Sequence, residues 1–374
     1  MKILELTNYT AGGCGVFSRV KQESGLLSNK GHEVLIFSSY FEKGTNKIMP
    51  YEEKNGNVLI KRFPSIKLGG ESFMFWFGKK AYNEALKFNP EIVIVHSYRH
   101  LHTIRALRLK SKLKCKVFLV THAPFGRDRG LFQNIFVFLY DYFIGKRTLN
   151  KFDKIITITR WESAFLEKLS VKKEKLVYIP NGINDKFFKN TFKNTKAIGR
   201  DILIYTGRVS PIKNLEAIIW AVIFLKGKIK AEILGPCEEK YLRKLNKLIE
   251  ENNVEKLVSI NNKVYNQKEQ IDFLDKGNFF ILPSLSEGMP QVLIEAMARG
   301  KICLVSINPG TKEIVNNGVN GFLFDLNNKN SIVEVINKVL LLNKRERNKI
   351  SKNAINSVKG LKWSILIDKL ENLF

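Results

Sequence analysis

Cysteine and proline are scarce in this chain of 374 residues, which contains four of the first and ten of the second. The cysteines (Cys14, Cys115, Cys237 and Cys303) lie far apart and form no CxxC pair. This spacing excludes a disulfide framework and a cysteine-based zinc site, and it is typical of a reduced, cytoplasmic protein. Because 44% of the residues are hydrophobic, extensive disorder is not expected either.

Long apolar runs are missing as well. The most apolar stretch, "LFQNIFVFLYDYFIGKR" at residues 131–147, is shorter than the about 20 residues needed to cross a bilayer, and Asp141 interrupts it. The N-terminal "MKILELTNYT" predicts a strand and a loop, without the apolar core and cleavage site of a signal peptide. We therefore expect a cytoplasmic protein that does not span a membrane.

Acidic residues are few, with 35 Asp and Glu against 62 Lys and Arg and a formal net charge of +27. Such an excess predicts an anionic partner, which could be nucleic acid, an anionic membrane face or a phosphorylated small molecule. The alternative is a lysine-rich surface whose charges are simply solvated. No helix-turn-helix, RRM or KH pattern is present, so we do not expect nucleic acid.

The motifs of several enzyme classes are also absent. The sequence contains no DxD metal motif, no Walker A loop, no HExxH and no GxSxG. We therefore predict a protein that needs neither a metal ion nor a cofactor.

Short apolar runs alternate with longer amphipathic segments in both halves of the chain. The predicted strands are "KILELT", "EVLIFS", "VLIKRF", "EIVIVHS", "KVFLVTH", "DKIITIT" and "KLVYIP" in the first half, and "ILIYTG", "KAEILG", "LVSIN", "NFFILPS", "KICLVS" and "GFLFD" in the second. The polar segment 181–201 between them predicts a linker. The alternation indicates an α/β protein with two doubly wound, Rossmann-like domains, residues 1–185 and 186–355. Ligands of such sheets bind beyond the carboxyl ends of the strands, so we expect the site in a cleft between two facing domains.

The stretch "SLSEGMPQVLIEAMARG" at residues 284–300 ends a predicted strand and opens a predicted helix. Pro290 fits the start of that helix, whose first N–H groups would favour a phosphate. Glu287 lies before the helix and Glu295 more than a turn inside it, so they are expected to face different parts of one ligand. Carboxylates accept hydrogen bonds from vicinal hydroxyls, which indicates a sugar and a ribose. The alternative is one capping and one surface glutamate.

A second candidate segment is "YTGRVSPIKNLEAI", at residues 205–218. Gly207 allows a tight turn after a predicted strand, and Arg208 and Lys213 stand just before a predicted helix. Two cations beside a helix N-terminus can hold a diphosphate without a metal ion. The alternative is two surface cations in a lysine-rich chain.

The loop "NYTAGGCGVF" after the first predicted strand contains Gly12, Gly13 and Gly15. A dinucleotide-binding fingerprint would need a third glycine where Ser18 stands, and an acidic residue at the end of the second strand. NAD binding is therefore weakly indicated. The glycines could face a phosphate or a sugar, or form a plain tight turn.

His122 ends another predicted strand, in "VFLVTHAPFGRDRG". A neutral imidazole there could hydrogen-bond a sugar hydroxyl, and Arg127 and Arg129 could contact an anionic acceptor. The alternative is a structural histidine. Asn181, in "YIPNGIN", is as consistent with a hinge turn as with a ligand contact.

Two segments of the first half could form a binding surface for an acceptor or a membrane. Residues 98–116 predict a basic helix and tail, and residues 131–151 predict an aromatic helix followed by cations. Together they are typical of a patch that meets an anionic membrane. For the aromatic segment, covering the sheet is the stronger interpretation.

In this order the motifs resemble glycosyltransferase family 4, the retaining enzymes with the GT-B fold. Glu287 and Glu295, with seven residues between them, carry most of the resemblance, and "GRVSPIKN", "PNGIN", the glycine loop and His122 add to it. The final "KWSILIDKLENLF" resembles the terminal helix that returns to the first domain in that family, which gives a third segment, residues 356–374.

The resemblance implies transfer of a sugar from a UDP- or GDP-sugar with retained anomeric configuration. It implies that Glu287 binds donor-sugar hydroxyls, that Arg208 and Lys213 neutralise the leaving diphosphate, and that His122 positions the donor sugar. The implied donor-binding residues are Gly12, Gly13, Gly207, Val264, Gly288, Met289, Pro290, Gln291, Val292, Leu293 and Glu295. Arg127, Arg129 and Asn181 are the implied acceptor contacts.

The chain departs from the family pattern at three places. Asn184 stands where an acidic residue is usual, Asn262-Lys263-Val264 replaces Gly-x-Val, and Pro309-Gly310 replaces Gly-Gly. None touches the expected diphosphate clamp.

We therefore predict a metal-independent transferase with a lipid-linked or growing-glycan acceptor, acting at the cytoplasmic face of a membrane. The alternatives are a nucleic-acid-binding protein, or a phosphorylase or sugar-nucleotide epimerase of similar fold.

Overall fold

The protein consists of two compact units, Met1–Gly182 with Trp363–Phe374 and Ile183–Lys362. The computed structural model describes residues 1–67, 74–125, 130–189, 191, 201–328 and 330–374.

The first unit is built around an eight-stranded sheet. The strands of this sheet are β1 (Lys2–Leu6), β2 (Glu33–Ser39), β3 (Glu52–Asn55), β4 (Val58–Phe63), β7 (Ile92–His96), β8 (Lys116–Val120), β9 (Lys154–Thr157) and β10 (Leu176–Tyr178). Two short strands, β5 (Ile66–Lys67) and β6 (Met74–Phe75), form a separate ribbon. Its helices are α1 (Gly15–Asn29), α2 (Lys79–Phe88), α3 (Leu101–Leu113), α4 (Leu131–Tyr140), α5 (Lys146–Thr148) and α6 (Glu162–Lys168).

The strand order of this sheet is β10-β9-β8-β7-β1-β2-β4-β3, and every pair is parallel except β3 with β4. All seven strands predicted in this half are present. The order reverses beside β1, because β2 lies on one side of it and β7 on the other. In a doubly wound sheet this reversal is where loops diverge and leave room for a ligand.

The second unit has a six-stranded, fully parallel sheet in the order β13-β12-β11-β14-β15-β16. The strands are β11 (Ile202–Thr206), β12 (Lys230–Leu234), β13 (Val258–Asn261), β14 (Phe279–Leu282), β15 (Ile302–Ser306) and β16 (Phe322–Phe324). The helices are α7 (Glu216–Phe224), α8 (Glu239–Glu251), α9 (Gln267–Lys276), α10 (Gln291–Ala298), α11 (Pro309–Ile314), α12 (Ser331–Leu341) and α13 (Lys344–Val358). All six predicted strands are present, and the order reverses between β11 and β14. The loops after these two strands therefore begin at the reversal point, where ligands of doubly wound sheets bind.

The last helix, α14 (Trp363–Glu371), belongs to the first unit and packs on α1. Trp363 is buried, and a Cβ atom on Gly182 would lie 2.5 Å from its ring. The unit boundaries at 182/183 and 362/363 lie three and seven residues from the predicted ones. The second prediction falls inside α13, which continues to Val358.

The predicted linker is partly built into the second unit. A 3-10 helix spans Asp185–Phe188, Asn184 caps it, and Phe187 is buried in the core of that unit. The polar composition of the segment gave no indication that Phe187 anchors it in the core. Residue 190 and residues 192–200 lie outside the described part of the chain.

The aromatic segment does not cover the sheet. Helix α4 continues through a π-helical turn, Asp141–Gly145, into α5, and most of the large side chains that the structure describes there are exposed. The exposed apolar residues of this segment are Ile135, Phe136, Phe138, Leu139, Tyr142 and Phe143. In the ranges that the structure describes, no helix has both the length and the apolar character to cross a bilayer.

Candidate functional site

The second unit brings Lys213 and Glu287 together. Lys213 Nζ donates to Glu287 Oε1 at 2.7 Å, and both side chains are mostly buried. Lys213 lies in the loop after β11 and Glu287 in the loop after β14, so the pairing of these two strands brings the loops side by side. The backbone N–H of Leu285 donates to the Ile212 carbonyl at 2.9 Å and ties the loops together.

The loop that carries Glu287 packs tightly on the start of α11. A Cβ atom on Gly310 would lie 2.3 Å from the Gly288 carbonyl oxygen and 2.6 Å from that of Glu287. Only glycine fits at this position. The Pro309-Gly310 departure therefore keeps the one glycine that this contact requires.

Arg208 lies in the same loop as Lys213 but has a different partner. Its guanidinium is 3.6 Å from Glu238, and 39% of its side chain is exposed. Its backbone carbonyl accepts a hydrogen bond from Tyr205 at 2.9 Å. Gly207 before it has φ +139, and a Cβ atom on Gly235 would lie 1.8 Å from the Gly207 carbonyl oxygen. These glycines set the path of the loop.

Glu295 lies on α10, about one helix turn after the first residue of that helix, Gln291. Its Oε2 accepts a hydrogen bond from Gln270 Nε2 at 2.7 Å. Burial raises the pKa of this carboxyl to about 7, although the Gln270 bond acts in the opposite direction. A carboxyl that titrates near neutrality and has one amide partner can accept further hydroxyl donors.

The other predicted donor contacts divide into two groups. Gly288, Met289, Gln291 and Val292 are partly exposed around the N-terminus of α10, with the buried Pro290 as its N-cap residue. Leu293 is fully buried in the core, and its N–H donates to the Pro290 carbonyl at 3.2 Å, so its contribution is packing. Val264 is 79% exposed in the loop after β13.

In the first unit, the glycine loop follows β1. Gly12 has φ +80, and a Cβ atom there would lie 2.8 Å from the Lys43 carbonyl oxygen, so its own chain requires this glycine. Gly13 and Gly15 have open space where a Cβ atom would be. Of the three positions, Gly13 and Gly15 are therefore the two whose lack of a side chain is not required by neighbouring atoms.

His122 follows β8 in a left-handed conformation with φ +60, and so does Ala123 with φ +49. Non-glycine residues rarely adopt this region, and each costs about 1–3 kcal/mol unless its surroundings hold it. Glu162 supplies that hold. Its carboxylate accepts hydrogen bonds from the Thr121 hydroxyl and from the Ala123 N–H, the second at 2.8 Å.

The imidazole of His122 is uncharged in this environment. Burial and the neighbouring His96 hold its pKa well below the usual range. His122 Nε2 lies 3.0 Å from His96 Nδ1, and His96 Nε2 lies 3.1 Å from Glu5 Oε2. A neutral imidazole can still donate or accept one hydrogen bond at its other nitrogen.

A buried ion pair lies beside these groups. Arg19 binds both carboxylate oxygens of Glu23, at 2.9 and 3.1 Å, and its guanidinium also donates to Asn181 Oδ1 at 3.3 Å. Asn181 is therefore held by Arg19 in the interior of the first unit. Arg127 and Arg129 lie outside the described residues.

Among the described residues, one cluster has the residue types and spacing of metal ligands: Glu5, Glu23 and His96. The cation that Glu23 binds is Arg19, and both nitrogens of His96 are used by Glu5 and His122. We therefore assign the cluster to hydrogen bonding. The absence of a metal requirement stays a prediction.

Glu5, Arg19, His96 and Glu162 are the site residues that motif analysis missed. The sequence contains a clue to Glu5, which lies in the predicted strand "KILELT". Burying a glutamate in a strand that is covered on both faces costs free energy unless the carboxyl has a partner.

Two family models match the chain. Residues 14–187 match the model described as Glycosyltransferase Family 4, and residues 186–357 match the model described as Glycosyl transferases group 1. Together the two models account for most of both units.

Relatives extend this comparison. The chain is 27% identical over 364 residues to an uncharacterized glycosyltransferase of Methanocaldococcus jannaschii, covering 97% of this chain and 95% of the relative. Over 109 residues, 28% of this chain and 26% of the relative, it is 37% identical to the UDP-Gal:alpha-D-GlcNAc-diphosphoundecaprenol alpha-1,3-galactosyltransferase of Escherichia coli. Sucrose-phosphate synthase from Thermosynechococcus elongatus superposes with a TM-score of 0.78 at 17% identity, covering 100% of this chain and 98% of that one. The fold is thus GT-B, with two Rossmann-like domains.

Proposed function

The chain belongs to glycosyltransferase family 4, and from this premise we propose that it moves a sugar from a nucleotide-diphosphate sugar to a lipid-linked or growing-glycan acceptor. We include retention of the anomeric configuration and independence of metal ions in the proposal. The observation that carries it is the bond between Lys213 and Glu287 at the reversal point of the second sheet. This pair offers a cation for a phosphate and a carboxylate for hydroxyls in one place.

Each side chain suits one part of such a donor. Glu287 accepts hydrogen bonds from donor-sugar hydroxyls, and Glu295 accepts them from the ribose. Lys213 and the exposed Arg208 neutralise the diphosphate. His122 is assigned a contact with the donor sugar as an uncharged imidazole.

Catalysis in this proposal is mainly electrostatic. As the sugar–phosphate bond breaks, negative charge grows on the diphosphate, and Arg208 and Lys213 stabilise it. Lys213 is held in place by Glu287, so little reorganisation is needed during the reaction. Binding donor and acceptor in fixed positions supplies the remaining acceleration.

A lipid-linked acceptor agrees with the surface of the first unit. The apolar surface of α4 and the following turn ends in the exposed cations Lys146, Arg147 and Lys151. The only acidic residue of segment 131–151, Asp141, is neutralised by Arg99, whose guanidinium binds both of its carboxylate oxygens at 2.6 and 2.9 Å. Aromatic residues beside unopposed cations suit an anionic membrane surface. The Escherichia coli relative named above has a diphosphoundecaprenol acceptor in its name.

The donor can be tested by thermal shift with a panel of nucleoside diphosphates and nucleotide sugars. A ligand that binds only the folded protein raises the melting temperature by mass action. We expect one base to stabilise the wild type, and Glu295→Ala and Arg208→Ala to lose that shift. No shift with any nucleotide would contradict the proposal.

Two assays separate this proposal from its alternatives. Turnover that depends on a glycan or lipid acceptor, and not on free phosphate, distinguishes a transferase from a phosphorylase or an epimerase. The same assay with and without EDTA tests metal independence. Loss of activity in EDTA that Mg²⁺ restores would overturn that part of the proposal.

A further inference from the structure

A continuous row of hydrogen-bonding groups leads from the interior of the first unit to His122. Ser24 Oγ donates to Glu5 Oε1 at 2.6 Å, and Glu5 Oε2 lies 3.1 Å from His96 Nε2. His96 Nδ1 in turn lies 3.0 Å from His122 Nε2. Glu5 and His96 are both fully buried, on the neighbouring central strands β1 and β7.

Within the described ranges, the cation beside Glu5 is Arg19, and it is already engaged. Arg19 binds both oxygens of Glu23, and it also donates to the carbonyls of Ile179 and Pro180 at 3.0 and 3.3 Å. Glu5 is left with a hydroxyl and an imidazole as its partners. Burial therefore raises the pKa of Glu5 to about 8, against the opposing effects of Ser24 and Arg19. Burial also lowers the pKa of His96 to about 4.

The proton on Glu5 decides which nitrogen of His122 carries hydrogen. A protonated Glu5 donates to His96 Nε2, so His96 carries its hydrogen on Nδ1 and donates to His122 Nε2. His122 must then carry its own hydrogen on Nδ1.

Ionisation of Glu5 reverses the two bonds that His96 makes, while Ser24 continues to donate to the carboxylate. His96 Nε2–H then donates to the carboxylate, and its bare Nδ1 accepts from His122 Nε2–H. The protons balance: three are held in the first state and two in the second, and the one that leaves comes from His122 Nδ1.

We propose that Glu5, acting through His96, is a positioning residue that keeps the hydrogen of His122 on Nδ1, so that His122 offers an N–H donor to an oxygen of the bound sugar. This inference rests on the proposed contact between His122 and the donor sugar. The row also provides a proton store, because Glu5 can replace a hydrogen that His122 gives away.

Other charged and titratable groups face the row and define its setting. Arg19 and Glu23 lie beside Glu5 and His96, and His100 and Lys43 act on His122. Burial lowers the pKa of His100 to about 4, so it stays uncharged across the range of interest. Glu5, whose pKa is raised by burial to about 8, is thus the group of the row that titrates in the neutral to mildly alkaline range.

The first test is ¹⁵N NMR of the histidine side chains in the free protein. In the wild type we expect His122 to carry hydrogen on Nδ1 at pH 7 and on Nε2 well above pH 8. In Glu5→Gln we expect hydrogen on Nδ1 throughout, because the amide cannot lose a proton and Ser24 keeps its oxygen at the Oε1 position. A His122 tautomer that is independent of pH in the wild type, or that changes equally in both proteins, would overturn the inference.

The second test is the pH profile of kcat with saturating donor. The wild type should lose activity above about pH 8, up to about tenfold per pH unit. Glu5→Gln should lack this alkaline decline, whatever its absolute rate. Ser24→Ala removes a bond that favours the ionised carboxylate, so its decline should move to higher pH. Identical profiles for the wild type and Ser24→Ala would also count against the relay.

Glu162→Gln is the matched control. It changes another buried glutamate next to His122, but one that bonds Thr121 and the Ala123 backbone and does not belong to the row. We expect a lower rate with the alkaline decline unmoved. If no transfer activity is found at all, the proposed function fails, while the NMR result still decides whether the row exists.

Discussion

Lys213 and Glu287 are 74 residues apart in the chain, yet the lysine Nζ lies 2.7 Å from the glutamate Oε1. The bond forms because β11 and β14 are neighbours and their loops are tied through Leu285 and Ile212. In the proposed function this bond is kept, because the other carboxylate oxygen of Glu287 can accept from sugar hydroxyls while the remaining N–H groups of the Lys213 ammonium donate to phosphate oxygens. The pair therefore holds both groups in position before the donor arrives.

Lys213→Ala should weaken binding of the matching nucleoside diphosphate by about 10- to 100-fold, because hydrogen bonds between charged groups contribute about 1.5–3 kcal/mol. Isothermal titration calorimetry measures this directly. The control is Lys247→Ala, which removes an exposed lysine paired with Glu251 on α8 and should leave affinity nearly unchanged. Equal losses in both variants would mean that net charge, and not this pair, determines binding.

Nucleotide affinity should depend on the ionisation of Glu295. Its pKa of about 7 means that the carboxyl is protonated below pH 7 and charged above it. The charged form is the better acceptor for ribose hydroxyls, so affinity should rise about tenfold from pH 6 to pH 8. The phosphate also titrates in this range, and Glu295→Gln isolates that contribution. Equally steep pH dependence in the variant would show that Glu295 does not meet the ribose.

Two adjacent glycines should respond differently to alanine. Gly12→Ala forces a Cβ atom towards the Lys43 carbonyl at an unfavourable φ, so we expect a loss of about 1–3 kcal/mol in unfolding free energy. Gly13→Ala meets open space and should leave the melting temperature unchanged while lowering activity. Thermal melts and initial rates of both variants check this. A fully active Gly13→Ala would remove Gly13 from the ligand site.

The apolar surface of α4 should bind anionic vesicles. Phe136 and Phe138 are 64% and 66% exposed, and burying one phenylalanine completely contributes about 1.5–3 kcal/mol. In flotation with phosphatidylglycerol-containing vesicles, Phe136→Ser with Phe138→Ser should reduce binding at least tenfold. Higher salt should weaken wild-type binding.

A second exposed aromatic pair provides the control for the vesicle experiment. Trp220 and Phe224 on α7 are 43% and 64% exposed, but they belong to the second unit. Trp220→Ser with Phe224→Ser should float like the wild type. If the wild type does not float with anionic vesicles at physiological salt, the acceptor is better sought among soluble glycans.

The central strands were predictable because parallel strands buried on both faces are continuous apolar runs. The three strands that were missed lack that signal. β3 reads "EEKN", is largely exposed and pairs antiparallel at the sheet edge, and β5 and β6 have two residues each. Their formation depends on a neighbouring strand and not on their own composition.

The loops of the candidate site were predictable, but their support was not. Arg208, Lys213 and Glu287 stand in recognisable turns after strands. Glu162, in contrast, acts from α6 on the backbone after β8, and only the pairing of β8 with β9 brings it there. The exposure of the aromatic segment was also unpredictable, because its composition fits a buried helix equally well.

The assignment of α14 to the first unit has a consequence for how the chain is made. The first unit consists of Met1–Gly182 and Trp363–Phe374, with the whole second unit between them. During synthesis, Arg19 can stack on Trp363, at 5.4 Å from its ring centroid, only after the second unit has been translated. The unit that begins first on the ribosome is therefore completed last. Removing the final helix would leave the first unit without this packing partner, as it is while the chain is still being synthesised.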